Sequence, residues 1–161
     1  MKNRLMVLAL SLLLGFSVFG FQAYGGTTLG LSLENDFTND SILYGGYLRT
    51  GGLFKLELGG AKSAGQGSDI IDLFSYFLAD LTLGSFGINN GSLHLYLGGS
   101  PVMTLDTGTP AFAFSTSSAY GKIGLQLKLF PFSIQVQSSS RLNFSGEIER
   151  VIAGVGFGLS F

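Results

Sequence analysis

Residues 151–161 read VIAGVGFGLSF, in which Val151, Ala153, Val155, Phe157, Leu159 and Phe161 alternate with Ile152, Gly154, Gly156, Gly158 and Ser160, a pattern that begins at Arg150. An extended chain sends successive side chains to opposite faces, so strict alternation of apolar with small or polar residues marks a β-strand. Upstream the same period recurs. Leu29, Leu31 and Leu33 alternate with Gly30, Ser32 and Glu34, and Phe54, Leu56 and Leu58 with Lys55, Glu57 and Gly59. Leu93, Leu95 and Leu97 oppose His94, Tyr96 and Gly98, while Ile123, Leu125, Leu127 and Leu129 oppose Lys122, Gly124, Gln126 and Lys128. Phe132, Ile134 and Val136 oppose Ser133, Gln135 and Gln137. Residues 41–50 fit a further strand in which Ile42, Tyr44 and Leu48 face away from Leu43, Tyr47 and Arg49.

One segment is ambiguous. From Ile70, the residues Leu73, Phe74, Phe77, Leu78 and Leu81 stand at helical spacing behind a cap residue, Asp69, so a short amphipathic helix over 69–80 competes with a strand. The strand is favoured; with the helix, the strand moves to 81–88, ending at the hairpin-like Asn89-Asn90-Gly91. Either way eight strands are predicted.

The N-terminus is of another kind. Lys2 and Arg4 precede an uncharged apolar run to Phe19 and a small Gly20, with Val18 at the position two residues before it. That is the form of a secretory signal, residues 1–20, cut near Gly20, with Ala23 the weaker alternative. The run is shorter than the roughly 20 residues that a spanning helix needs. Removing it leaves seven basic against ten acidic residues, a balance that argues against nucleic acid as a partner. There is no cysteine, hence no disulfide and no thiolate metal site. Charged residues are 12% of the chain, about half the usual share, with 25 glycines and 15 phenylalanines.

The joins alternate in length. Gly51-Gly52 and Phe130-Pro131 are tight, whereas the joins over 35–40, 62–69, 101–118 and 140–148 are longer and polar, with both termini on the tight side. This is the layout of an all-β, eight-stranded antiparallel up-and-down transmembrane β-barrel over residues 21–161. The non-apolar face is Gly, Ser, Gln and Tyr with a few charges of both signs, which suits a narrow lumen better than water. Glu34, Arg49, Lys55, Glu57, Lys122, Lys128 and Arg150 all fall in that phase and are expected to pair inside the barrel. A lumen so filled is not a conducting pore, since open channels belong to barrels of about sixteen strands. Tyr24, Phe130, Phe132, Phe157 and Phe161 lie near strand ends and are expected in an interfacial aromatic girdle.

In layout the chain resembles the small outer-membrane barrels of the OmpX and OmpA transmembrane type: signal, eight alternating strands, long outer loops and a last strand ending in Phe161. The resemblance implies that Val155, Phe157, Leu159 and Phe161 are read by the barrel-assembly machinery. It implies outer-membrane lipid as the surroundings and a structural or surface-contact role through the outer loops, with the extracellular partner unspecified. A soluble exported barrel with its apolar face inward, holding a small apolar ligand, is the alternative; a lipid-modifying barrel enzyme is the second.

Chemical motifs are sparse, and no catalytic residue, cofactor or metal is assigned. His94, the only histidine, is read as an internal hydrogen-bonded residue, on the expectation that no serine stands two residues from it and because barrel enzymes of the lipid A deacylase kind place a His–Ser pair on the lipid-facing surface. Asp36 with Asp40, and Glu147 with Glu149, lack metal-loop spacing and are read as solvated loop charge. Residues 59–63 have Ala61 where a phosphate loop needs Gly, and Gly154, Gly156 and Gly158 are read as small lumen residues. The loop over 100–118 is the longest expected and the natural place for surface recognition, although Phe112 and Phe114 can equally extend the flanking strands.

Overall fold

The computed structural model describes residues 26–64 and 69–161. The expected signal segment, its cut sites at Gly20 and Ala23, and Tyr24 lie outside the described residues. Eight strands follow one another in the chain: β1 (Thr28–Asp36), β2 (Ser41–Gly51), β3 (Phe54–Ala64), β4 (Ile70–Phe86), β5 (Gly91–Asp106), β6 (Ala111–Leu129), β7 (Phe132–Asn143) and β8 (Ile148–Ser160). Each pairs antiparallel with its neighbour in sequence, and β1 pairs with β8 from Thr28↔Ser160 to Asp36↔Ile152, closing the sheet into a barrel. Closure satisfies the two edges that an open sheet would leave unpaired.

The competing helix over 69–80 does not form. Residues 70–86 are one strand, with Leu73, Phe77 and Leu81 on the outer face and Phe74, Tyr76 and Leu78 on the inner one. Because both faces carry bulky apolar groups, the period of two is hidden and helical spacing arises by coincidence. The inner face tolerates such bulk because glycines stand opposite it: a Cβ at Gly59 would strike the Phe74 ring, and one at Gly124 the Tyr96 ring.

The two ends of the barrel differ less in loop length than the sequence suggests. On the tight side the joins are residues 52–53, 87–90 and 130–131, with a 3-10 turn at Ile88–Asn90. On the other side the described joins are 37–40, 107–110 and 144–147, each of four residues. The expected long outer loops are therefore replaced by long strands. The segment 100–118 is mostly hairpin, with β5 running to Asp106 and β6 starting at Ala111. Pairing continues there from Met103↔Phe114 to Asp106↔Ala111, beyond a register shift at Pro101/Met103, with Thr104, Phe112 and Phe114 suited to a strand. Residues 111–117 have no partner on β7, whose pairing with β6 begins at Ser118↔Asn143, so this hairpin projects past the ring.

The outer face is apolar and the inner face polar. Leu29, Leu31, Leu33, Leu97, Ile123, Leu125, Ile134, Val136, Phe157 and Leu159 are all exposed, whereas Arg49, Glu57, Gln126 and Gln135 are buried to within 1%. This arrangement is the reverse of the soluble alternative, which required the leucines inside. Phe130, Phe132, Phe157 and Phe161 are exposed on the outer surface, three of them at the tight-turn end, where Leu53, Phe54, Phe86 and Ile88 join them.

Candidate functional site

Strand alternation sends one residue in two into the lumen, and the charged ones fall into separate clusters along the barrel axis. In the middle, Arg49 of β2 lies opposite its register partner Glu57 of β3. Its Nε donates to Glu57 Oε2 at 2.7 Å, and its Nη2 donates to the same oxygen. Lys122 of β6 reaches the other oxygen, Glu57 Oε1, across the lumen. Arg49 Nη1 donates to Gln126 Oε1 at 3.2 Å, and its guanidinium lies 4.2 Å from the Tyr96 ring centre. The Lys122 ammonium is 4.8 Å from the Tyr76 ring centre. Two cations share this one buried carboxylate, and the faces of Tyr96, Tyr76 and Tyr47 lie against them. Glu34 belongs to this layer as well, accepting from Gln137 Nε2, and Tyr96 OH donates to Gln137 Oε1 at 3.1 Å.

Towards the long-strand end, Arg150 of β8 donates to Asp36 Oδ2 at 2.6 Å through Nε, and to Asp72 Oδ2 at 2.7 Å through Nη1. Asp36 is fully buried, which corrects its reading as solvated loop charge. Its other oxygen accepts from the backbone of Thr38 and Asn39, so the same carboxylate closes the β1–β2 turn and holds Arg150. At the rim, Glu149 pairs with Arg141 at 2.7 Å. Among the described residues, no cluster of three or more His, Asp or Glu could hold a metal ion.

At the tight-turn end the third cluster lies around Asp80 of β4. Lys55 of β3 binds one carboxylate oxygen, Oδ2. His94 of β5 binds the other: its Nδ1 lies 2.8 Å from Asp80 Oδ1. The opposite ring nitrogen, Nε2, lies 2.8 Å from Ser92 Oγ. His94, expected to lack a serine, thus has one: Ser92 stands two residues earlier on the same strand and hence on the same face. That spacing is the signal the sequence carries; Asp80 has none, because it comes from the strand whose phase is hidden. Lys128 of β6, the register partner of Ser92, lines the same end.

The three levels differ in the space they leave. The middle encloses only about 30 Å³ beside Lys122, Glu34 and Tyr76. The tight-turn mouth has an open cavity of about 430 Å³ lined by Lys55, Asp80, His94 and Lys128. Next to it is one of about 240 Å³ lined by Ser92, Lys128, Phe130, Phe132 and Phe161. Thus Arg49, Glu57, Lys122 and Glu34 are brought into one layer, Arg150 into a second, and Lys55 and Lys128 into a third.

No family model and no curated protein matches the chain. Among solved structures, the N-terminal β-barrel domain of Pseudomonas aeruginosa OprF matches with a TM-score of 0.55 and 15% sequence identity, covering 87% of this chain and 100% of that one. At that identity the likeness concerns the fold, and the fold is that of the small eight-stranded, OmpA-like barrels, with antiparallel up-and-down strands closed into a ring.

Proposed function

We propose that the chain is an integral outer-membrane barrel, exported by residues 1–20, with a side-chain-filled lumen and a structural or surface-contact role carried by the hairpins at its long-strand end. The observation that carries this reading is the inverted polarity: leucine and phenylalanine outside, a buried Arg49–Glu57–Lys122 cluster inside. In water such an outer face would drive aggregation; in hydrocarbon it is at rest, and a closed sheet leaves no backbone group unsatisfied there. The likeness to a bacterial β-barrel domain supports the same reading. Outer-membrane lipid is then the solvent of the outer face. The tight turns and both strand termini face inward from that membrane, and the β5–β6 tip faces outward. Val155, Phe157, Leu159 and Phe161 form an outward row on the closing strand suited to recognition by the assembly machinery.

Cell fractionation tests this. The chain is expected in the outer-membrane fraction, soluble only with detergent, with an electrophoretic mobility that changes on boiling. Protease added to intact cells is expected to cut an inserted site at residues 107–110 and to spare one at 52–53. Recovery of a folded, monodisperse chain from detergent-free soluble extract would overturn the proposal.

A further inference from the structure

We propose that the tight-turn mouth is a serine-hydrolase site, with Ser92 as nucleophile, His94 as its base, Asp80 as the carboxylate that orients the imidazole, and esters of an apolar acyl group with a polar alcohol as the substrate class. Alternation puts Ser92 and His94 on one face of β5, and the β4–β5 register brings Asp80 opposite Tyr96, two residues along from His94 and on the same face. The three are linked in series at 2.8 Å and 2.8 Å. With Asp80 accepting from Nδ1–H, Nε2 is left as the acceptor for the Ser92 hydroxyl, the tautomer that a general base requires. Lys55 on the far oxygen of Asp80 holds that carboxylate in place, and Thr82 Oγ1 lies 3.5 Å from the same Nδ1.

Space separates this cluster from the rest of the lumen. The mid-barrel ion cluster leaves only about 30 Å³ beside it, whereas here the nucleophile borders one cavity and the base the next. Phe130, Phe132 and Phe161 give the cavity beside Ser92 an apolar wall for an acyl chain. Lys55, Asp80 and Lys128 give its neighbour a polar lining for the alcohol. Lys128 lines both cavities, beside Lys55. It is placed to stabilise the negative charge that develops on the carbonyl oxygen.

The reaction balances without a co-reactant beyond water. Ser92 Oγ bonds to the ester carbonyl carbon as its proton passes to His94 Nε2; the carbon–alkoxide bond breaks and the alcohol leaves with that proton. Water then attacks the acyl-serine by the same route, releasing the acid and restoring the serine.

The test uses the full chain folded in detergent, with a fluorophosphonate and p-nitrophenyl butyrate as probes. Expected are a phosphonyl adduct on Ser92 by peptide mass spectrometry, and ester hydrolysis that falls at least about 100-fold in Ser92→Ala and in His94→Ala. Both variants should keep the boiling-dependent mobility. Ser139→Ala, a lumen serine outside the mouth, should retain adduct and rate. An unlabelled Ser92, a label confined to other residues, or hydrolysis no faster than that of Ser92→Ala overturns the proposal. Labelling is measured on the unaltered chain and so does not depend on either variant folding. A heat-modifiable barrel without adduct would refute the site alone and leave the membrane reading standing.

Discussion

At the scale of single residues, Glu57 ties together the barrel's middle layer, because it is the shared acid of two buried cations. Glu57→Ala takes from Arg49 and Lys122 the carboxylate that both pair with, leaving Glu34 as the acid of that layer, and removing one partner of a buried pair costs about 3–5 kcal/mol. Urea unfolding in detergent should show a loss of that size, and a smaller loss when Arg49, Glu57 and Lys122 are replaced together by apolar residues of similar volume. A loss below about 1 kcal/mol for Glu57→Ala would mean that water reaches the cluster. The phase of these charges is legible in the sequence, since each has a leucine or isoleucine neighbour in the opposite phase: Leu48 for Arg49, Leu56 and Leu58 for Glu57, Ile123 for Lys122. Their partners are not. Lys122 meets Glu57 across 65 residues of chain, a pairing fixed only when the sheet closes. Asp36 misleads for a related reason: next to a turn it reads as solvent-facing, but its position at the end of β1 still points into the lumen, where Arg150 arrives from β8. The Ser92–His94 spacing lies in the sequence and Asp80's place beside it does not, so only two members of the triad share a visible face before folding.

At the scale of elements, length is the property the sequence conveys least well. Turn-forming Pro101 and Pro110 suggest a loop over 100–118, but Pro101 falls at a register shift, where a missing N–H is tolerated, and Pro110 falls in the turn itself. The projecting part of the β5–β6 hairpin pairs within itself and with the tip of β4, from Ile70↔Asp106 to Leu73↔Met103. Replacing residues 104–113 by Asn-Gly should therefore leave the boiling-dependent mobility intact and shift the urea midpoint only slightly; loss of the folded band would place the hairpin in the barrel's own stability. The tip carries its own pH signature. The Asp106 carboxylate accepts from the Thr109 amide, the Thr109 hydroxyl and the Gly108 amide, which hold it below its ordinary 3.8. A lowered folded-state value means that the turn is fully supported above about pH 4 and loses that support as pH falls through the folded value. Amide resonances of Gly108 and Thr109 should move together in that acid window, and the step should vanish in Asp106→Asn.

At the scale of the whole molecule, closure and filling go together: eight strands bound a lumen that side chains can occupy, and Arg49, Glu57, Lys122, Tyr96 and Tyr76 occupy its middle. Planar-bilayer recordings should accordingly show no steady unitary conductance; a stable open level would mean that the cluster moves aside. Closure also decides when the barrel is finished, because the ring exists only once β8 has paired with both β1 and β7. The outward row of β8 can serve two ends, lipid contact in the finished barrel and recognition before it, and Phe161 separates them. It lies just past the last strand residue, is 71% exposed, and its backbone exchanges hydrogen bonds with Thr27 whatever its side chain. Phe161→Ala should therefore change the unfolding free energy of the detergent-refolded barrel by less than about 1 kcal/mol, as for an exposed position. In cells the same substitution should lower the heat-modifiable, membrane-inserted fraction several-fold, with unassembled chain accumulating or degraded. Equal losses in both assays would make Phe161 a stability residue, and no loss in either would leave the assembly reading of Val155, Phe157, Leu159 and Phe161 without support.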